Sequence, residues 1–387
     1  MKALYISFNG FSAHNGISKK KRAQIKAFRE YGVDIHNCYY VVRSDQHRVW
    51  MLDDNVLVDY GKGIIARIKQ RICFDPIIQI AMTQNIDFIY IRHDFNANPF
   101  LVRTARILSQ NNVKLSLELP TYPYDKEFKY AGWVQKLSLV IDKMYRLKYA
   151  NHMFRIITFT NLTSIWKKKT IRISNGVDFE MIKVNNNRKQ NASICSINLI
   201  SVAEVHDWHA LDRLIEGMGL YYKNNPTIDV FLHIVGGIGP VEDKLFKKLI
   251  IQYKIDKYVL FYGPLYSKEL DSVFGMSDIG VGSLGRHRSQ ITNIKTLKNR
   301  EYAARGIPFF YSEIDTDFED KPYIMKVPAD ESPIDVRKII DFYEHLNMTS
   351  ESIRDSIKNL SWKNQIEIIM NDMLNPNLAS NENISSE

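Results

Sequence analysis

The segment Ile294–Pro308 combines ionisable side chains with a helix whose ends are well marked. Gly306 favours a left-handed helix cap and Pro308 cannot continue a helix, so the sequence predicts a helix over 294–305. Its amino end is preceded by a basic, glycine-containing run that consists of Gly282, Gly285, Arg286, His287 and Arg288. Free N–H groups beside cationic side chains suit a phosphate or diphosphate.

Two residues of this helix have the spacing of a ligand pair. Lys298 and Glu301 are three positions apart, so they share a helix face about one turn from the amino end. A lysine there can reach a phosphate, and a carboxylate can accept hydrogen bonds from two neighbouring hydroxyls, as on a ribose. The alternative is a surface ion pair that stabilises the helix by about 0.3 kcal/mol.

Strands and helices alternate throughout the chain, in two successive series. The first series starts with strand Ala3–Phe8 and has strands near 33–42, 88–91, 113–119, 154–159 and 170–174. The second has strands near 197–202, 228–235, 258–262, 278–282 and 307–311. This pattern predicts an α/β protein with two Rossmann-like, doubly wound parallel sheets that face a cleft, with ligands at the carboxyl ends of the strands.

The domain boundaries follow from composition and charge. We expect a first domain over 1–183, a polar linker over 184–195 and a second domain over 196–348. Helices over 349–374 close the chain and are expected to cross back to the first domain, and 375–387 form a disordered polar tail.

Charge is distributed unevenly between the halves. Residues 1–190 contain 31 Lys and Arg against 15 Asp and Glu, a net charge of +16, whereas 191–387 contain 21 against 28, a net charge of −7. A basic half without an apolar run of bilayer length points to an anionic partner such as a lipid surface or a phosphorylated substrate. Nucleic acid is the weaker alternative, because no readout motif accompanies the charge. Three separated cysteines and no signal-peptide pattern indicate a reduced, cytoplasmic location.

Five short motifs occur in order along the chain, and the last of them lies in the helical segment described above. Ile173–Asp178 reads ISNGVD, Val235–Pro240 reads VGGIGP, Phe261–Gly263 is followed by SDIGV at 277–281, and Glu301–Pro308 reads EYAARGIP. The ordered set resembles the I-x-N-G-V-D, V-G-x-G-P, F-x-G, A-D-V-x-V and E-A-x-A-x-G-x-P motifs of the retaining GT-B glycosyltransferases of family 4.

The resemblance implies transfer of a sugar from a nucleotide-diphosphate-sugar to a glycan or lipid-linked hydroxyl, with retained configuration and without a metal or other cofactor. Glu301 would hold the donor ribose, the entrance at Ile294–Thr296 would hold the diphosphate, and the loop after Phe261 would border the base. The expected donor-binding residues are Gly16, Arg213, Gly237, Gly263, Asn293, Ile294, Lys295, Thr296 and Glu301. The expected catalytic residues are Glu118, His209, Arg288 and Lys298.

The sequence departs from the family at three positions. The family has a glutamate eight residues before the one matched by Glu301, and Asn293 stands there. His209 replaces a phosphate-binding lysine, and we expect it to donate when protonated, supported by Arg213. The family's histidine after strand 113–119 is absent, and Glu118 is the nearest polar candidate.

Three side features complete the expectations. Lys19, Lys20, Lys21 and Arg22 crowd the first turn of a helix, where an anion would offset their repulsion by the helix dipole. Asp315-Thr316-Asp317 resembles a metal-binding triplet, but we interpret it as a loop. The aromatic residues of 122–133 form either an acceptor platform or local packing.

The function that follows is cell-surface polysaccharide synthesis at the inner face of a membrane, with the protein held peripherally by its basic half and not inserted. Two other functions share the fold and the nucleotide site: a sugar-nucleotide 2-epimerase, and a GT-B protein that binds nucleotide without catalysis.

Overall fold

The computed structural model describes residues 1–11, 16–125, 132–185 and 194–376, and these are the residues meant below. They form two compact units, one of 1–174 together with the helix from Trp362, the other of 175–361. The first unit therefore ends nine residues before the expected boundary at 183. Of the expected linker, 186–193 lie outside the described residues, as do 377–387 of the expected tail.

The first unit is built on one sheet whose strands we number in chain order. They are β1 Lys2–Ser7, β2 Asp34–Val42, β3 Arg48–Leu52, β4 Asn55–Asp59, β5 Phe88–Arg92, β6 Lys114–Leu119, β7 Arg155–Thr158, β8 Ser164–Ile165 and β9 Lys168–Arg172. Within the described residues their order is β4-β3-β2-β1-β5-β6-β7-β9-β8. In this order, the six neighbouring strands β2-β1-β5-β6-β7-β9 pair in parallel, as the alternation predicts.

Two layers of helices cover this sheet. They are α1 Gly16–Glu30, α2 Gly63–Ile72, α3 Asp75–Thr83, α4 Pro99–Gln110 and α5 Trp133–Asn151. Apolar residues of α3, α4 and α5 form one core with the sheet, and α1 forms a second core that also contains Trp362, Ile366 and Ile369 of the last helix. Because α1 and α3–α5 contribute to two separate cores, α1 lies on one face of the sheet and α3–α5 lie on the other.

An antiparallel extension of the first sheet is the main feature that the sequence did not indicate. Strand β3 pairs antiparallel with β2 and with β4, and β8 pairs antiparallel with β9. Charged residues interrupt the 43–59 stretch, so its short strands lack a clear alternation. Burial of Trp50 against Phe8 and Phe74 anchors β3 to the core.

The second unit has a parallel six-stranded sheet among the described residues, in the order β12-β11-β10-β13-β14-β15. The strands are β10 Ser196–Val202, β11 Asp229–Val235, β12 Val259–Gly263, β13 Ile279–Val281, β14 Phe309–Tyr311 and β15 Ile324–Lys326. The helices are α6 Leu211–Tyr222, α7 Pro240–Tyr253, α8 Ser267–Met276, α9 Arg286–Ser289, α10 Leu297–Ala304, α11 Val336–His345 and α12 Ser350–Asp355. The closing helix α13 Trp362–Leu374 belongs to the first unit.

Tyr302 fixes α10 against the second sheet. Its buried hydroxyl donates to the carbonyls of Ile200 and Val281, 3.2 and 3.0 Å away, in the two central strands. A Cβ at Gly280 would lie 2.5 Å from the Tyr302 ring, so glycine is required for this close approach. The sequence-predicted α/β class with two doubly wound sheets is confirmed. In the part of the chain that the structure describes, no helix combines the length and apolarity needed to span a bilayer.

Candidate functional site

The amino end of α10 lies in a segment that is pinned on both sides. Ile294 N–H donates to the Ile314 carbonyl (2.9 Å), and Ile314 N–H donates to the carbonyl of Thr292 (2.8 Å). The amide of Asn175 donates to the Lys295 carbonyl at 2.6 Å. These bonds fix the chain that leads into the helix, and α10 begins three residues later than the sequence predicts.

The first turn of α10 has no side-chain cap. Thr296 occupies the N-cap position with extended backbone angles, but its hydroxyl does not accept from the helix. Its Oγ1 is buried and has no hydrogen-bond partner among the described residues. The N–H groups of the first turn point along the helix axis with the positive end of the dipole, so this end favours an anion.

Lys298 places a buried amine next to this end. Its Nζ is inaccessible to water and makes no hydrogen bond to any residue that the structure describes. Burial lowers the pKa of Lys298 to about 7; Glu313 opposes this shift and Arg286 adds to it. A buried ammonium without acceptors is costly, and two anionic phosphate oxygens would supply the acceptors.

His209 lies within the same electrostatic environment. It ends a short 3₁₀ turn, Asp207–His209, and its Nδ1 accepts the backbone N–H of His206 at 2.9 Å. Burial, followed by the charges of Lys298 and Arg286, lowers the pKa of His209 well below its ordinary value. The neutral ring therefore carries its proton on Nε2, because Nδ1 is the acceptor. His209 therefore has a donor in its neutral form as well as in the protonated form expected from the sequence.

Glu313 is the carboxylate that accompanies these cations. It follows β14 and is fully buried, and its Oε1 accepts from the Asn299 amide at 3.2 Å. Burial raises the pKa of Glu313, against the opposing charges of Lys298 and Arg286. Glu313 and Arg286 therefore act with opposite sign on the amine of Lys298. We call the group of His209, Arg286, Thr296, Lys298 and Glu313 the α10 cluster.

Arg288 is bound in a different network. Its guanidinium pairs with Asp212 (2.8 Å), Glu331 (2.5 Å) and Asp207 (3.2 Å). The hydrogen bond from Arg288 is the largest influence that lowers the pKa of Glu331, to about 2. Arg288 thus connects α6, the 3₁₀ turn at Asp207 and the loop at Glu331, and these carboxylates neutralise its charge, which disfavours the expected phosphate role. Arg286, two residues earlier, is the cation of this run that acts on His209 and Lys298.

Arg213 is also engaged in holding loops. Its side chain is buried and donates to the carbonyls of Leu284, Ser332 (2.7 Å) and Pro328 (3.0 Å). It also pairs with Asp330 at 3.2 Å. Because these bonds use all three guanidinium nitrogens, Arg213 positions the backbone before Arg286 and is not available to support His209 on a phosphate.

The remaining donor-site candidates lie along the same unit. Glu301 is half-buried on α10 and pairs with Arg305 at 2.9 Å, and Arg305 also pairs with Asp271 at 2.9 Å. Asn293 is exposed and forms an isolated parallel bridge with Ile314. Lys295 pairs with Asp317 at 3.1 Å, and Asp317 with Asp315 binds Arg300, so the 315–317 triplet has basic partners. The described residues contain no group of three or more His, Cys, Asp or Glu side chains that could hold a metal.

Two glycines close the carboxyl ends of neighbouring strands. Gly237 accepts the N–H of Val205 at 2.8 Å, and Gly263 accepts that of Gly236 at 2.8 Å. Gly236 has φ +130°, and a Cβ there would lie 1.8 Å from the Ala203 carbonyl. The predicted turns at Gly237 and Gly263 therefore lie at one sheet edge, the edge where ligands of open α/β sheets bind.

Glu118 of the first unit is buried, and its carboxylate already has several partners within the protein. It pairs with Lys20 (3.1 Å) and Arg92 (3.4 Å), and accepts from Tyr90 (2.5 Å) and Gln24 (2.6 Å). Burial would raise the pKa of Glu118, but the two cations and the two hydrogen bonds bring it below its ordinary value. This saturation disfavours a role in orienting a donor sugar.

The basic run of α1 is likewise partly internal. Lys20 packs over the Phe159 ring at 3.8 Å in addition to its pair with Glu118. Lys21 donates to the carbonyls of Asn9 (2.8 Å) and Gly10 (2.9 Å), and burial lowers its pKa to about 8. Two of the four charges therefore have protein acceptors. Gly16, the first residue of α1, has open space where a Cβ would lie, so no close approach requires glycine there.

Comparison with solved structures shows the fold. The chain is similar to sucrose-phosphate synthase from Thermosynechococcus elongatus, with a TM-score of 0.61, 14% identity, and coverage of 98% of this chain and 99% of that chain. It is similar to Anabaena HepE in complex with UDP and glucose, with a TM-score of 0.55, 12% identity, and coverage of 98% and 100%. It is also similar to UDP-GlcNAc 2-epimerase from Methanocaldococcus jannaschii, with a TM-score of 0.51, 11% identity, and coverage of 97% and 99%. No family model and no curated protein sequence matches the chain. The protein has the GT-B fold, and identities this low establish the fold alone.

Proposed function

We propose that the protein is a retaining, metal-independent glycosyltransferase of family 4 type, which uses a nucleotide-diphosphate-sugar and extends a glycan or lipid-linked acceptor. Transfer of the sugar to the acceptor would take place at the inner face of a membrane, during synthesis of a cell-surface polysaccharide. The observation that carries the proposal is the α10 cluster: a buried amine and a neutral imidazole donor beside an uncapped helix end.

The α10 cluster has the groups that a leaving diphosphate needs. As the sugar–phosphate bond breaks, negative charge builds on the diphosphate, and without a metal it must be met by N–H groups and cations. Lys298 and Arg286 would supply charge, His209 Nε2–H a neutral donor, and the first turn of α10 its backbone N–H groups. Such donors need no rearrangement during the reaction, because the 294–314 pairing and Arg213 already hold their backbones.

Glu301 is proposed to hold the ribose. It lies one turn into α10, on the carboxyl side of the cluster, and Arg305 fixes its carboxylate on one oxygen. Asn293 would contribute an uncharged amide to the sugar, in place of the glutamate that the resemblance implies.

A thermal-shift assay tests the proposal. UDP, GDP, ADP and CDP are compared, and at least one should raise the melting temperature of the full chain. Glu301→Ala and Lys298→Met should each abolish most of the rise, whereas Lys248→Met, a change of an exposed lysine on α7, should leave it intact. If all four nucleotides leave the melting temperature unchanged, or Lys298→Met keeps the full rise, the donor site is not where we propose.

A 2-epimerase is the second candidate, favoured by the similarity to the epimerase of Methanocaldococcus jannaschii. An epimerase acts on the nucleotide-sugar alone, whereas a transferase needs an acceptor. Incubation of the donor without acceptor, followed by analysis of the sugar released, separates the two: an epimerised sugar supports the second candidate. Nucleotide binding with no turnover under either condition supports a binding protein without catalysis.

A further inference from the structure

One side of helix α5 carries large apolar residues that the described part of the chain leaves uncovered. Trp133, Leu137, Val140, Met144 and Leu147 are between 46% and 77% exposed. Their spacing of four, three, four and three residues places them within an arc of about 80° at roughly 100° per residue. A helix that only covers a sheet needs apolar residues on its inner side, so this second stripe is not explained by folding.

The inner side of α5 is already occupied. Leu139, Tyr149 and Ala150 are buried there, and Asp142 accepts from the Ala97 N–H (3.0 Å) and the Tyr124 hydroxyl (2.5 Å). The helix is therefore apolar on two opposite sides. Because the inner side packs on the core, the outer stripe is free to contact something that is not part of this unit.

The exposed charges carried by α5 itself have one sign, and the nearby carboxylate of Asp125 pairs with Lys143 at 3.7 Å and with Arg146 at 2.9 Å. Lys136, Lys143 and Lys148 are exposed, and Lys136 and Lys143 lie roughly 60–80° from the centre of the stripe. Asp142, the only acidic residue in the helix sequence, is on the inner side. Apolar residues, a tryptophan near one end and flanking lysines are the features of a helix that lies in a membrane interface.

Helix α2 repeats the pattern nearby. Ile64, Ile65 and Ile68 are exposed, and the 62–72 sequence contains four basic residues and no acidic one. Both α2 and α5 pack against α4, and the Asn98 amide at the start of α4 donates to the Arg71 carbonyl at 3.3 Å. Two apolar and basic helices therefore flank α4 on the same face of the first sheet.

We infer that α5, together with α2, is a surface that inserts shallowly into an anionic lipid bilayer. The stripe would enter the boundary between headgroups and acyl chains, and the lysines would contact anionic headgroups. This goes beyond peripheral attraction by charge, since it assigns named side chains to the hydrocarbon boundary. Pairing of two copies through α5 fits the surface less well, because it would bring lysines together while the nearby carboxylate of Asp125 is already engaged by Lys143 and Arg146. The inference rests on the membrane-surface part of the proposed function and not on the transfer chemistry.

Vesicle binding by the full chain tests the inference. Sedimentation is measured with phosphatidylcholine vesicles and with vesicles that contain about 30% phosphatidylglycerol, and binding to the anionic vesicles should be much tighter. Leu137→Ser and Met144→Ser should each weaken this binding about tenfold, as expected for loss of one buried apolar side chain. Lys136→Glu/Lys143→Glu should weaken it at least about twentyfold. Brominated lipids should quench the wild-type fluorescence, and Trp133→Phe should remove that quenching while binding remains.

The control surface is α7 of the second unit. Val241 and Ile251 are 77% and 76% exposed there, but Glu242 and Asp243 lie on the same helix, so Val241→Ser/Ile251→Ser should leave vesicle binding unchanged. Equal binding to neutral and anionic vesicles, no binding to either, or equal losses in the control would overturn the inference. A dimer in sedimentation velocity that Leu137→Ser dissociates would also overturn it, because the stripe would then be a contact between copies. The α5 variants should keep their nucleotide-induced thermal shift, so failure here is distinct from failure of the donor site.

Discussion

The nucleotide binding that we propose at the α10 cluster should depend on pH through the protonation state of Lys298. In the free protein burial lowers the pKa of Lys298 to about 7. A bound diphosphate favours the charged amine, so binding should take up a proton wherever the free protein has Lys298 neutral. Affinity is then highest at and below pH 7 and falls as the pH rises. With a free-state pKa of 7 and full protonation in the complex, the dissociation constant should rise about 50-fold between pH 7 and pH 9.

The window above pH 7 isolates this effect. The terminal phosphate of a nucleoside diphosphate ionises near pH 6, so its own charge is nearly constant from pH 7 upward. The pKa of His209 lies well below its ordinary value, which keeps that side chain neutral throughout the window. Calorimetric titration of UDP, or of whichever diphosphate binds, is carried out at pH 7, 8 and 9. At pH 8 two buffers with different ionisation heats should report uptake of about 0.9 proton per ligand.

The Lys298→Met variant serves as the decisive comparison. It keeps the length and apolar stem of the side chain, so it should fold, but at pH 7 it should bind about 10- to 100-fold more weakly because one charge-assisted hydrogen bond is lost. Its affinity should be nearly flat from pH 7 to pH 9, and Lys248→Met should retain the wild-type slope. A wild-type affinity that does not change with pH, or an equal slope in Lys298→Met, would refute the assignment of the proton to Lys298.

Two predictions concern the ion-pair networks that stand outside the cluster. Arg213→Met removes three hydrogen bonds to loop carbonyls and should lower the free energy of unfolding by about 3 kcal/mol, measured by urea denaturation. A change below about 0.5 kcal/mol would show that these loops keep their conformation without Arg213. Glu118→Gln should cost about 3–5 kcal/mol at pH 7, because it leaves Lys20 buried without its carboxylate. Since the folded pKa of Glu118 lies below its ordinary value, its contribution is present above pH about 4.5 and lost as the pH falls further. The wild-type and Glu118→Gln unfolding curves should therefore converge in acid, and parallel curves would contradict this reasoning.

The sequence predicted the parallel parts of the fold because their signals are local. Gly306 and Pro308 marked the end of α10, and the apolar runs of 197–202 and 228–235 became the interior strands β10 and β11. The β3–β4 extension had no such signal, since its strands are short and stabilised by Trp50, whose partners lie at positions 8 and 74.

The sequence could indicate which segment carries the candidate site, but not which partners its side chains would have in the fold. Arg286 and Arg288 are equivalent in the sequence, and only the positions of Asp212 and Glu331 in the fold show that Arg288 pairs with these two carboxylates. Glu118 and Lys20 are 98 positions apart, so no spacing rule connects them. Glu313 was within reach of prediction, because it follows a strand of the second sheet at the carboxyl edge, where site residues gather.

Arg288 and Lys298 illustrate two ways in which one unit keeps a cation inside. Arg288 cannot lose its proton, and the structure surrounds it with three carboxylates, so its charge is neutralised before any ligand arrives. Lys298 has a single carboxylate nearby and can release its proton, so its burial is tolerated by neutralisation of the amine itself. Binding of a diphosphate at the end of α10 would favour uptake of a proton from solvent by Lys298. The positive charge would then form next to the bound phosphates. The proposed diphosphate site would therefore favour a lysine over an arginine, because a group that titrates near neutral pH is inexpensive to bury when free and can be cationic when bound.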